Sequence, residues 1–300
     1  MRMSYIINCF CLITIFTYQL AAQDYEYASM FRAKEDDYTE IECIIIPIAQ
    51  EPQDQKEMND DEHHISHPHV PGPHPSRAPS NFATSTNWGG YAAANKLSSA
   101  KKNSVSAVYG TWIVPTLEST VDDSYCAIWV GIDGYNSSTV EQIGTGHDFI
   151  EGTQEHYAWF EMYPEGAYLI NGFPVTPGDV ISASVTYAGN ATFVLKLYND
   201  TQQVFVTIPT QYTKSSAAQR KSAEWIVEAP WWNGVLPLSN FVTAYLWGCT
   251  ATINGATAPI KNSKWQNIGI EMVTDNDIPK AIPSAILPDN GSFFMTWHHE

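Results

Sequence analysis

A two-sheet antiparallel β-sandwich is the fold class this sequence predicts, and three observations predict it. Short runs place apolar residues at every second position, the period of a half-buried strand. Gly, Asn, Asp and Pro separate these runs at turn-like intervals. The composition leans the same way, with 16 Tyr and 10 Trp against a charged content of only 16%. With 300 residues, 44% of them hydrophobic, the chain can bury a substantial core as one large β domain or two smaller ones.

Taken in order, residues 1–22 read as an export signal: Arg2, an apolar core over 5–16, a polar bend at 17–19, then Ala21 and Ala22. The apolar part is short for a membrane span, and no later stretch is apolar enough to cross a bilayer, so a secreted chain with no membrane partner after signal cleavage is expected. Residues 23–80 change character. Acids cluster at 35–37 and 60–62, interrupted by one apolar island at 44–48, and this is not the composition of a domain core. The run HHISHPHVPGPHP then sets His63, His64, His67, His69 and His74 among prolines that hold the chain extended. Imidazoles are common metal ligands, but no carboxylate or Cys stands at ligand spacing, so the run reads as a linker whose charge changes on acidification; no metal or cofactor is expected. The three segments expected are therefore a signal over 1–22, an acidic, His/Pro-rich propeptide and linker over 23–80, and a β domain over 81–300.

Within the domain, residues 109–114 form a strand before Pro115. In 127–133, Trp129, Gly131 and Asp133 share one face while Ile128, Val130 and Ile132 share the other. Asp133-Gly134 signals a turn. After it, Val140, Gln142 and Gly144 fall on one side of the next strand; on this stretch alone Gln142 is a hydrogen-bonded amide within a strand. In HYAWFEMY, Ala158, Phe160 and Met162 make a core face, whereas Tyr157, Trp159, Glu161 and Tyr163 line the other: an acid walled by aromatics, suited to a groove or equally to a solvated face. Residues 180–187 put Ile181, Ala183, Val185 and Tyr187 on one face, and 193–208 read as a hairpin turning at Asn199-Asp200. The run SSAAQRKSAEWIVE stays open. Its alanines and the Glu224/Glu228 spacing suit a helix stopped by Pro230, and as a strand it sets Glu224, Ile226 and Glu228 on one face.

Charge narrows the partners. A formal net charge of −17, with 15 Lys+Arg, argues against a nucleic-acid partner. There is no Asp-Thr-Gly or Asp-Ser-Gly, no G-x-S-x-G and no H-E-x-x-H, so the aspartic, serine and zinc peptidase signatures are missing. Once residues 1–80 are set aside, Cys126 and Cys249 are the remaining cysteines. In an exported protein they are expected to pair, although both lie in apolar runs that suit buried thiols.

Five motifs in order carry a resemblance: NWGGY (87–91), WVGIDG (129–134), EQIG (141–144), YAWFEMYPE (157–165) and SAEWIVEAP (222–230). Over about residues 85–300 the chain resembles the glutamic peptidases, the peptidase G1 or eqolisin family. The resemblance implies a lectin-like, concanavalin-like sandwich of two curved antiparallel sheets with a substrate groove on one concave face, a monomer acting on polypeptides without a cofactor. It puts the family's catalytic glutamine on Gln142 and its catalytic glutamate on Glu228 rather than Glu224. The groove residues it implies are Trp88, Trp129, Asp133, Asp148, Glu161 and Tyr163. This chain departs from the fungal members in reading EQIGTG where they have a shorter Gln-Thr-Gly, so the register after Gln142, and with it Asp148, is not inherited.

The implied chemistry is consistent with the side chains. A carboxylate with an ordinary pKa of about 4.3 is a competent general base in mildly acidic solution, and a glutamine amide offers one acceptor and two donors for orienting water and holding an oxyanion. The competing expectation is a carbohydrate-binding sandwich or a glycosidase using two carboxyls, Glu161 and Glu228.

Overall fold

The computed structural model describes residues 34–48, 76–77, 82–120 and 122–300. The expected export signal over 1–22 and the His-rich run over 63–74 lie outside the described residues. Among the described residues there are nineteen strands: β1 Thr39–Glu40, β2 Ile44–Pro47, β3 Ser76–Arg77, β4 Phe82–Ser85, β5 Trp88–Ala94, β6 Val105–Ile113, β7 Ala127–Ile132, β8 Val140–Ile150, β9 Thr153–Tyr163, β10 Ala167–Asn171, β11 Val180–Gly189, β12 Thr192–Asn199, β13 Val204–Thr207, β14 Ser222–Glu228, β15 Thr243–Ile253, β16 Ala256–Pro259, β17 Gln266–Val273, β18 Pro279–Pro283 and β19 Phe293–Trp297.

The ladders sort these strands into two layers. One runs β2–β10–β9–β8–β7–β14–β5–β17, with β4 parallel on the far edge of β17. The other runs β1–β13–β12–β11–β6–β15, with β16 and β19 on the outer side of β15. Strand β18 pairs with both β17 and β19 and so carries the hydrogen bonding around one corner from layer to layer. Apart from β1–β13 and β4–β17, these ladders are antiparallel.

Alternation explains the layering. Ile128, Val130 and Ile132 of β7, Ala158, Phe160 and Met162 of β9, Ala223, Trp225 and Val227 of β14, and Ile181, Ala183 and Val185 of β11 all enter one core between the sheets. The opposite face of the first sheet has its own cluster, built from Trp88, Ala92, Ala127, Trp129, Val140, Tyr157, Trp159, Ile226 and Ile270. That second cluster is the floor on which the site stands.

Two expectations resolve here. The open segment before Pro230 is a strand, Ser222–Glu228, hydrogen-bonded on both sides to β5 and β7; a central position between two partners outweighs the helix preference of its alanines. The expected pairing of Cys126 and Cys249 is absent, since both are free, buried thiols. The apolar island at 44–48 also proves to be docked structure, with β2 paired to β10.

Candidate active site

The ladders joining β9, β8, β7, β14 and β5 run without a bulge, so same-face neighbours can be counted across them. One row holds Glu161, Gln142, Gly131, Glu224 and Ala92. The next holds Trp159, Gly144, Trp129, Ile226 and Gly90. A third holds Tyr157, Gly146, Ala127, Glu228 and Trp88. Successive rows lie about 6.7 Å apart and neighbouring strands about 4.8 Å apart. Glycine lets the aromatic rings lie flat on this floor. A Cβ on Gly146 would stand 2.2 Å from the Tyr157 ring, and one on Gly131 would stand 2.8 Å from the Trp129 ring.

Glu228 is 1% exposed and is held from two sides. The indole Nε1 of Trp129 donates to its Oε2 at 2.7 Å, and Nδ2 of Asn87 donates to its Oε1 at 3.2 Å. Asn87 is itself positioned by Ser85, whose Oγ donates to Asn87 Oδ1 at 3.2 Å and accepts from the Trp88 N–H at 3.1 Å. Trp88 packs edge-on against Trp129, with ring centroids 5.0 Å apart. Asn87 was not singled out from sequence. The available signal was a polar residue opening NWGGY directly ahead of a strand.

Gln142 is brought to Glu161. Its Nε2 donates to Glu161 Oε2 at 2.7 Å, while its Oε1 is buried without a partner. Burial, and then the charge of Glu228, push the Glu161 carboxyl well above the ordinary carboxylate range; the Gln142 amide acts in the opposite sense. The Cα positions of Gln142 and Glu228 stand two rows apart, about 13 Å along the strands and about 10 Å across them, with Gly144 and Trp129 in the row between. Glu224 shares the row of Gln142, and its surroundings differ from those of Glu228. It accepts a long 3.4 Å contact from the Tyr135 N–H, its Oε2 is unpartnered, and burial raises its pKa well above the ordinary range.

The remaining expected residues fall in three places. Tyr163 ends β9 opposite Val140 and borders the floor cluster. Asp148 lies further along β8, where it accepts from the Tyr157 hydroxyl at 3.0 Å; its Oδ1 has no partner, and burial pushes its pKa up to about 8. Asp133 is fully buried, and its carboxylate is occupied by the chain itself: it accepts from Ser137 Oγ at 2.9 Å, Gln219 N at 2.7 Å and Lys221 N at 2.8 Å, and also from Thr139 Oγ1 and the Arg220 N–H. Asp133 is thus an anchor for the segment entering β14 rather than a residue open to a bound chain. No group of three or more His, Cys, Asp or Glu suited to a metal occurs among the described residues.

The family model of the peptidase A4 family matches residues 86–281, a span that contains every site residue named above except Ser85. The chain belongs to the peptidase A4 family. Among its relatives is aspergillopepsin-2 from Aspergillus niger, 30% identical over 122 residues, an alignment covering 40% of this chain and 42% of that relative's length. The fold is shared with a scytalido-glutamic peptidase solved with a transition-state analog inhibitor, with a TM-score of 0.58 and 23% identity over 71% of this chain and 98% of that one. It is shared too with the aspergilloglutamic peptidase from Aspergillus niger, with a TM-score of 0.52 and 22% identity over 58% of this chain and 99% of that one. In this A4 chain the floor just described is a single face of the first sheet, and the buried Gln142, Glu161, Glu224 and Glu228 all stand on it.

Proposed function

We propose that this A4-family chain is a secreted acid endopeptidase in which Glu228 is the general base and Gln142 supplies the amide that receives the developing oxyanion. The observation that carries the reading is the seating of Glu228: each of its oxygens accepts from a fixed N–H donor, Trp129 on one side and Asn87 on the other, so the carboxylate is aimed before substrate arrives. In this reading the scissile carbonyl lies over the middle row, above Gly144 and beside Trp129. There it is flanked by a water under Glu228 on one side and by the Gln142 amide on the other. Glu228 takes the proton of the attacking water and returns it to the leaving amine. Export rests on the composition of residues 1–22, and cleavage of the chain near residue 80 rests on the break in composition there.

The experiment is digestion of a denatured protein across pH 3 to 7 by wild type and three variants, each checked for folding by circular dichroism. Glu228→Gln should abolish turnover. Gln142→Ala should cost about 10²- to 10³-fold, the usual effect of losing an oxyanion donor, and Glu224→Gln should be far milder. Activity that survived Glu228→Gln and vanished in Glu224→Gln would overturn the assignment. A second reading, a hydrolase using two carboxyls, is favoured by one observation. Burial and then the charge of Glu228 push the Glu161 carboxyl above the ordinary carboxylate range, the direction suited to an acid set beside a base. In that case Glu161→Gln is severe, while Gln142→Ala acts only through its hydrogen bond to Glu161 and is the milder change.

A further inference from the structure

Residues 34–48 carry an acidic, apolar-island sequence that composition assigns to the leader, yet they complete both sheets. Strand β1 adds in parallel to β13, the outer strand of the second layer, and β2 adds antiparallel to β10, the outer strand of the first. The segment therefore crosses from one open edge of the sandwich to the other. Thr39 N–H donates to Gln203 O, Ile41 N–H to Phe205 O and Ile48 N–H to Ala167 O, each at 2.9 Å. Side chains alternate as in any strand that covers a core: Ile41, Cys43 and Ile45 pack against the cluster between the sheets, while Ile44 and Ile46 point outward. Ile48 closes the end at 5% exposure. Upstream, Lys34 Nζ lies 2.8 Å from Asp200 Oδ2, Glu35 accepts from Lys196 Nζ and from the Tyr198 hydroxyl, and Tyr38 packs edge-on against Tyr198.

An edge strand presents unpaired donors and acceptors, and a sandwich side left open exposes its core; both are costly without a cover. A segment that answers both needs is part of the fold, whatever happens to the chain beyond it. We propose that the edges of β10 and β13 form one docking surface whose occupant is this chain's own residues 34–48, and that the segment stays bound, non-covalently, when the chain is cut between it and residue 82. Backbone pairing and the inward-facing Ile41 and Ile45 hold it. The ion pairs at Lys34 and Glu35 add orientation, being partly solvated.

The test is a full-length chain carrying a site-specific protease sequence between Asp60 and Asp61, cut to completion as judged on a denaturing gel and then passed through size exclusion under native conditions. The N-terminal fragment is expected to co-elute with the domain in equimolar amount, with the thermal midpoint close to that of the uncut protein. Ile41→Asp/Ile45→Asp in the same cut protein should release the fragment and lower the midpoint, whereas Lys34→Ala/Glu35→Ala should keep it bound. A fragment that separates from the cut, otherwise unaltered domain overturns the proposal, whether or not the midpoint falls. As a second measurement, a peptide of residues 34–48 added to the urea-stripped and refolded domain should rebind and restore the midpoint; failure to bind while the domain is folded also overturns it. None of these readouts depends on turnover, so the outcome is separate from that of the peptidase reading.

Discussion

Asn87 and Glu228 lie 141 positions apart in the chain, and their hydrogen bond is the residue-scale feature with the sharpest consequence. Removing a donor to a charged group costs about 1.5–3 kcal/mol, and 1.4 kcal/mol is about a factor of ten. Asn87→Ala is therefore expected to lower kcat/KM by roughly ten-fold or more. Steady-state kinetics of Asn87→Ala beside wild type decides this; an Asn87→Ala enzyme of full activity would remove Asn87 from the site. Thiols provide a second case at this scale. Cys126 and Cys249 are buried and unpaired, and burial pushes both well above the ordinary thiol range. Neither should react with a thiol reagent in the native protein, both should react after denaturation without reductant, and reductant should leave the thermal midpoint where it was.

At the scale of elements, strand β14 owes its place to Asp133. The carboxylate collects the N–H groups of Gln219, Arg220 and Lys221, the residues that lead into β14, together with the hydroxyls of Ser137 and Thr139 from the turn after β7. Arg220, so held, lays its guanidinium 3.7 Å from the Tyr187 ring centroid and donates to Val105 O, which ties the turn to the second layer. Asp133→Ala strands these donors together. A loss of about 3 kcal/mol or more is expected, which in a domain of this size lowers the thermal midpoint by roughly 6–12 °C. The register of Glu224 and Glu228 depends on the same anchor, so activity should fall more steeply with temperature in this variant than in wild type. A midpoint within a degree or so of wild type would show that the anchor is dispensable.

Across the whole molecule, buried titratable groups set the dependence of stability on pH. Glu141, Glu161 and Glu224 are raised well above the ordinary carboxylate range by burial, and Asp148 is raised to about 8. A carboxyl whose folded pKa is raised contributes stability that is present below its unfolded pKa and is lost as pH climbs through the folded value. Two imidazoles act oppositely. Trp112 Nε1 donates to Thr145 Oγ1, whose hydroxyl is then free to donate to His147 Nε2, leaving His147 Nδ1–H to donate to His156 Nδ1 at 3.0 Å. This chain requires both rings neutral; burial lowers His147 well below its ordinary value and His156 to about 4. Their contribution is complete above the unfolded value of about 6.5 and declines as pH falls towards 4. Four carboxyls outweigh two imidazoles where the ranges overlap, and above pH 6.5 the opposing group is Lys280, which burial lowers to about 8 and whose contribution grows only as pH passes that value. The thermal midpoint should therefore be highest near pH 4 to 5 and fall steadily towards pH 8. Asp148→Asn should flatten the upper part of that curve, and a midpoint that rose from pH 5 to pH 8 would contradict the balance.

Local pattern was enough for much of this. The period of two along 127–133 and 156–163 separated core face from floor face correctly, because a pleated strand allows its side chains only two directions. The order of five motifs was enough for the family, and with it the sandwich. Pattern could not decide between helix and strand over 222–228, because alanine suits either and only the partners on both sides of β14 exclude the helix. Nor could it count rows. That Gln142 stands beside Glu161 and in the row of Glu224, while Glu228 stands two rows away, follows from ladder register, a property of pairs of strands that no single strand encodes. Asp133 carries a groove role only through the family resemblance; in the fold the turn it begins, with φ of 73°, directs it to residues 219–221, more than eighty positions along the chain. The leader was judged by its charge, which describes the segment in water. Its four inward apolar residues, Ile41, Cys43, Ile45 and Ile48, gain meaning only against two open sheet edges, and the edges exist only once the rest of the chain has folded.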